Sequence, residues 1–228
     1  MKKLVVASLF AAGALASQAA FAVGTVDITW QGTDTSGIKL STLDTTVSSS
    51  VPLTSNYATT ALNYVYTATG ESFTAYCIQP SEGNGRALRN QTYAVESFTG
   101  EQAQHLQALF STSYAGLTTH DDKAAFQLAV WELMLETGNT FSVSGGSFKV
   151  LGSDATSLAV STQANSFLSQ ALAYEGPALY SLTKLTHGSL QDLVVATPLA
   201  AVPEPESYAM LLAGLGIVGL VARRRLPR

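Results

Sequence analysis

Apolar and polar positions alternate early in the chain. In Val26-Asp27-Ile28-Thr29-Trp30 every second residue is apolar, so Val26, Ile28 and Trp30 share one face of a strand. Residues 62–67 and 72–78 predict two more strands, joined around Thr69-Gly70-Glu71 as a β-hairpin. The Ser/Thr-rich stretch from Thr42 to Ser55 fits either a loop or an edge strand. A helical period then takes over. Thr99 and Gln102 have capping-box spacing and open a helix with an apolar stripe through Leu106, Leu109 and Phe110, closed at Tyr114-Ala115-Gly116. A second helix is expected from Asp121 or Asp122, as N-cap, to Glu136, with Gly138 as the stop. Ala124, Phe126, Leu128, Val130, Trp131, Leu133 and Met134 make it apolar around most of its circumference, which places it inside the domain. The Gly/Ser turn at 144–147 predicts a hairpin between Thr140 and Leu151. A third helix over 155–174 and strands near 178–185 and 190–196 complete the pattern. Strands and helices come in runs rather than in alternation. The expected class is therefore α+β: mainly antiparallel strands in a sandwich or barrel-like part, with an inserted helical part, in a single domain.

Charge separates the ends from the body. The 228-residue chain has 12 Lys+Arg against 16 Asp+Glu, a formal net charge of −4, and 12% charged residues. Six of the basic residues lie at the termini, leaving residues 23–201 with six basic against fourteen acidic side chains. An acidic body lacks the basic face of a nucleic-acid binder. A single Cys excludes an internal disulfide framework and multi-cysteine metal sites, and three scattered histidines offer no metal cage, so no metal or other cofactor is expected. Residues 1–22 have the three parts of a secretory signal: Lys2 and Lys3, an apolar stretch from Leu4 to Ala16, and Ala20-Phe21-Ala22 for a signal peptidase. The domain body is expected over 23–196 and a linker over 197–207.

The far end combines a rigid Pro203-Glu204-Pro205 spacer, an apolar helix over 208–222 and the cluster Arg223-Arg224-Arg225. A short apolar helix with a positive stop engages the membrane with its arginines on the cytoplasmic side. This order resembles the PEP-CTERM sorting signal of Gram-negative bacteria, with residues 208–228 as its helix and arginine cluster. The resemblance implies an exosortase-type processing enzyme as partner and transient anchoring in the inner membrane. The expected destination is the cell surface or extracellular matrix.

The body carries one thiol. In Phe73-Thr74-Ala75-Tyr76-Cys77-Ile78, alternation puts Phe73, Ala75 and Cys77 on one apolar face. By itself Cys77 reads as a small buried hydrophobe, although an exported protein is a poor place for an unpaired thiol. Gln127 lies inside the apolar second helix, beside Val130, Trp131 and Met134. A buried amide needs hydrogen-bond partners, and a neighbouring strand backbone could supply them. A covalent reading is also open, in which the sulfur attacks the side-chain carbonyl, ammonia leaves and an internal thioester remains.

Tyr76-Cys77-Ile78 and Phe126-Gln127-Leu128-Ala129-Val130-Trp131 resemble, in order and spacing, the two motifs of bacterial thioester domains. That resemblance implies a Cys77–Gln127 thioester sheltered by Tyr76 and Trp131. It also implies covalent, single-turnover attachment to amine- or hydroxyl-bearing groups on a surface or matrix target, without enzymatic turnover. The alternative is a non-covalent structural or carbohydrate-associated matrix protein with an inert, buried Cys77. A cysteine hydrolase using His105 or His120 lacks an assignable orienting residue. Asp121-Asp122 read as a helix cap rather than a calcium loop, and Arg86 and Arg89 as a solvated face.

Overall fold

The computed structural model describes residues 24–34, 37–40, 43–45, 57–86, 88–200, 210 and 212–215. Six strands form a closed antiparallel barrel: β1 (Gly24–Thr33), β5 (Leu62–Tyr66), β6 (Ser72–Cys77), β7 (Gln91–Glu96), β9 (Tyr180–Thr186) and β10 (Leu193–Pro198). Their order around the barrel is β1-β5-β6-β10-β9-β7. Two short pairs lie outside it, β2 (Ile38–Leu40) with β4 (Tyr57–Thr59), and β3 (Leu43–Thr45) with β8 (Phe148–Val150). Between β7 and β9 the chain inserts three helices, α1 (Gly100–Ser113), α2 (His120–Leu135) and α3 (Ala155–Leu172). The α+β class, the barrel-like part and the helical insertion agree with the pattern of the sequence.

The expected β5–β6 hairpin forms. Gly70, at φ +72, donates to the Tyr66 carbonyl at 2.8 Å and closes the turn. Alternation sends Ile28, Tyr64, Ala75, Tyr93, Leu185 and Leu193 into the barrel, all at or near zero exposure. The opposite face of β6 and β10 meets the helices, so Tyr76 and Val194 are buried too. Helix α2 is buried from Ala124 to Leu133 without interruption, as its apolar circumference requires.

Three local expectations need correction. Thr99 precedes α1 but makes no side-chain cap bond, and Gln102 instead donates to the Leu133 and Met134 carbonyls at 3.4 and 3.3 Å. It thereby satisfies acceptors at the end of α2. The capping box belongs to α2, where Asp122 N–H donates to Thr119 Oγ1 at 3.1 Å and Thr119 N–H donates to Asp122 Oδ2 at 2.9 Å. Asp122 is thus the third residue of the helix rather than its N-cap. The expected hairpin between Thr140 and Leu151 does not form as a strand pair, although Val150 N–H donates to the Val143 carbonyl at 2.8 Å across the turn. Two glutamates at the end of α2 take two of that segment's backbone donors, and also cap the end of the helix. Glu136 accepts from Thr137, Gly138 and Ser147 N–H at 2.7–2.8 Å, and Glu132 accepts from Ser142 N–H at 2.7 Å. Phe148–Val150 then pairs with Leu43–Thr45, so this part of the Thr42–Ser55 stretch is a strand.

Candidate functional site

Cys77 is the last residue of β6, where the two flanking ladders end differently. On one side Leu193 of β10 pairs with Cys77, and Ile78 N–H donates to the Asp192 carbonyl at 2.9 Å. On the other side the β5 pairing stops at Leu62 opposite Ala75. The Gln127 side chain supplies the next rung. Its Oε1 accepts from Cys77 N–H at 2.9 Å, and its Nε2 donates to the Cys77 carbonyl at 2.7 Å. Cys77 and Gln127 are 2% and 1% exposed. A primary amide can sit in the apolar stripe of α2 because its carbonyl and its NH2 each find a strand partner. The structure therefore brings the two sequence-predicted residues together.

The thiol points the other way from the Tyr76 ring. Tyr76 packs 4.8 Å from Phe126 and edge-on to Phe110 and Tyr114, on the helical side of β6. It packs on Phe126, the residue next to Gln127. Trp131, one turn beyond Gln127, is 1% exposed and lies edge-on to Phe148. Burial pushes the Cys77 thiol up to about 12. The Trp131 side chain and the Gln79 backbone N–H face the sulfur and pull it down, while the charges of Asp192 and Glu82 raise it further. Burial likewise pushes Tyr93 up to about 12 and holds Tyr64 far above the usual phenol range, and both rings interact electrostatically with Cys77.

This geometry has chemical content. The Cys77 N–H already donates to the oxygen that would carry negative charge if sulfur added to the Gln127 carbonyl. The second bond fixes the amide plane beside the residue that bears the nucleophile. An apolar, closed pocket disfavours the thiolate but tolerates an uncharged thioester.

The remaining candidates lie elsewhere. His105 stacks edge-on against Phe141 at 5.0 Å, and His120 opens α2. His187, which no sequence motif marks, sits 5.0 Å from the Tyr93 ring, and its Nδ1 accepts from Ser189 and Leu190 N–H. Arg86 lies over the Trp30 ring at 5.6 Å, beside Arg89 in a groove of about 330 Å³. Among the described residues, no group of three or more His, Cys, Asp or Glu side chains is placed to hold a metal ion. The interactions of Glu82, Asp192 and Tyr93 with Cys77 have no signal in the sequence, because they arise only when the barrel closes.

Residues 201–225 match the family described as the PEP-CTERM protein-sorting motif. The motif implies exosortase-type processing and marks an exported protein of the cell surface. Pro203, Glu204, Pro205, Arg223, Arg224 and Arg225 lie outside the described residues, as do residues 1–22 of the expected secretory signal. Met210 and residues 212–215 are helical and exposed. Among the described residues, no helix is long and apolar enough to cross a membrane. No curated protein matches the chain as a sequence. Among solved structures it is similar to the N-terminal domain of the Streptococcus pyogenes pilus tip adhesin Cpa. That match has 16% identity and a TM-score of 0.43, over 75% of this chain and 99% of that one. It is also similar to the N-terminal thioester domain of a surface protein from Clostridium perfringens. There the identity is 10% and the TM-score 0.40, over 77% of this chain and all of the other. At these scores the likeness is loose, and the case for the site rests on its own geometry.

Proposed function

We propose that this exported protein is a single-turnover covalent attachment module. Cys77 Sγ adds to Gln127 Cδ, the C–Nε2 bond breaks, and the thiol proton leaves with the nitrogen as ammonia. The product is an internal thioester. A nucleophile on a surface or matrix target then adds to the same carbonyl, joins Gln127 and returns Cys77 as a thiol. The secretory signal supplies export, the C-terminal motif supplies sorting and processing, and the chain performs no catalytic cycle.

The observation that carries this reading is the pair of hydrogen bonds between the Gln127 amide and the Cys77 backbone, in a pocket closed to water. They hold the electrophile beside the nucleophile and give its oxygen a donor, so the intramolecular step gains a large effective molarity. The same bonds favour a second reading, in which Gln127 only completes a β-rung and Cys77 is inert packing in a non-covalent matrix protein.

Intact mass separates the two. The mature wild-type domain should be one ammonia lighter than its sequence, and methylamine should add to Gln127 and release a titratable thiol. Cys77→Ala should restore the full mass. This variant is the clean control, because both Gln127 bonds go to the backbone of residue 77 and survive it. A wild-type protein of full mass, with a thiol that titrates on unfolding and no methylamine uptake, would leave the matrix reading.

A further inference from the structure

The turn that follows Cys77 carries a carboxylate that the fold does not fully use. Residues 77–82 reverse the chain, with Glu82 N–H donating to the Gln79 carbonyl at 3.4 Å. Gln79 faces the thiol with its backbone N–H, and its side-chain amide donates to Glu82 Oε1 at 3.2 Å. Glu82 Oε2 is buried and accepts no hydrogen bond. A buried carboxylate oxygen without a donor is unfavourable for folding, and such atoms in native structures call for an explanation, chemistry among them.

The charge of Glu82 reaches the Cys77 sulfur, and so does that of Asp192. The two differ in what else they do. Asp192 Oδ1 accepts the His187 N–H at 2.9 Å and so shapes the connection from β9 to β10. Glu82 keeps one oxygen uncommitted. The Tyr64 hydroxyl is also buried without a partner, but burial holds its proton tightly, so it is a poor acceptor.

Resting on the reading that Cys77 and Gln127 form a thioester, we propose that Glu82 is the proton carrier of that reaction. As the Sγ–Cδ bond forms, the thiol proton passes to the Glu82 carboxylate. The protonated Glu82 then gives it to Nε2 as the C–N bond breaks, and ammonia departs with Glu82 back in its starting form. Opening of the thioester uses the same group in the same two steps, taking a proton from the incoming nucleophile and returning one to the leaving sulfur. A general base is what this thiol needs, since burial keeps the free thiolate scarce.

The test uses the full chain with Glu82→Gln, which keeps side-chain size and an acceptor for Gln79. Mass spectrometry follows ammonia loss after refolding and methylamine opening of the preformed thioester across pH. Other titratable groups around the thiol are Tyr64 on β5, Tyr93 on β7 with His187 against it, and Asp192. Asp192→Asn and His187→Asn therefore run alongside. Glu82→Gln should slow both steps about a hundredfold, the lower range of general-base contributions. Glu82→Asp should restore part of the rate, while Asp192→Asn, which removes a charge that raises the thiol, and His187→Asn should not slow either step as Glu82→Gln does. A wild type that carries the thioester, with a Glu82→Gln variant that forms and opens it at wild-type rates, overturns this assignment alone. A wild type at full mass overturns the thioester reading and this one together.

Discussion

Glu132 makes stability fall as pH rises from about 4.5 to about 7. Its side chain is fully buried in α2, with one oxygen accepting from Ser142 N–H and the other without a partner. Burial, with the charge of Glu136 one turn further on, pushes it from 4.5 up to about 7, against the opposing Ser142 bond. The native state therefore holds a proton that the unfolded chain releases near pH 4.5. The stabilisation is complete below that pH, declines above it, and is gone once the pH passes about 7. Each pH unit inside this window is worth about 1.4 kcal/mol. Linkage between pH 5 and pH 8 then amounts to about 2.5 kcal/mol, which solvent screening trims to about 2 kcal/mol. The assay is urea unfolding of Cys77→Ala, which removes any covalent chemistry, compared with Cys77→Ala/Glu132→Gln at each pH. Gln keeps an acceptor for Ser142 and does not titrate, so its advantage should grow from near zero at pH 5 to about 2 kcal/mol at pH 8. Parallel curves for the two proteins would refute the argument.

Cys77→Ala should cost about 1 kcal/mol, whereas Gln127→Ala should cost about 2–5 kcal/mol by orphaning a buried N–H and a buried carbonyl. Equal midpoints in urea would show that the amide rung does not form. Gly146 has φ +105, and a Cβ there would lie 2.1 Å from Glu136 Oε2. Gly146→Ala should therefore destabilise by about 2 kcal/mol or more, read from the thermal midpoint, through backbone strain and loss of the Ser147 bond. Replacing Arg223, Arg224 and Arg225 by Gln should leave the sorting tail unprocessed, and an unchanged C-terminal mass in that variant would contradict the role given to the cluster.

Legibility in the sequence followed the range of the forces involved. Alternation in residues 24–33 and 62–77 and the apolar circumference of α2 are local signals, and each element formed close to its expected bounds. Capping was harder to read because Thr99 and Thr119 both precede a polar third residue. Only the structure shows that Gln102 is drawn to the end of α2 while Asp122 turns back on Thr119. The expected strand pair at 140–151 was lost to partners distant in sequence, with Ser142 and Ser147 N–H bonded to Glu132 and Glu136 and residues 148–150 paired to residues 43–45. Glu132 itself has a sequence signal, an acid within a helix apolar on most of its circumference. For the site, Cys77 and Gln127 were readable from their residue types and spacing. Their bonding through the Cys77 backbone was not, because it depends on where β5 stops.

The position of β10 in the barrel has a mechanical consequence. It is the last strand before the sorting tail and lies between β6 and β9, paired on both sides. Tension transmitted from a surface through the tail enters at Pro198 and runs along the axis of β10. Both ladders then resist in shear, with their hydrogen bonds sharing the load, where a strand peeled from a border would lose them one at a time. The domain's lifetime under pull is set by its unfolding rate, and this placement puts the strand that meets the force first among the best-held parts of the barrel.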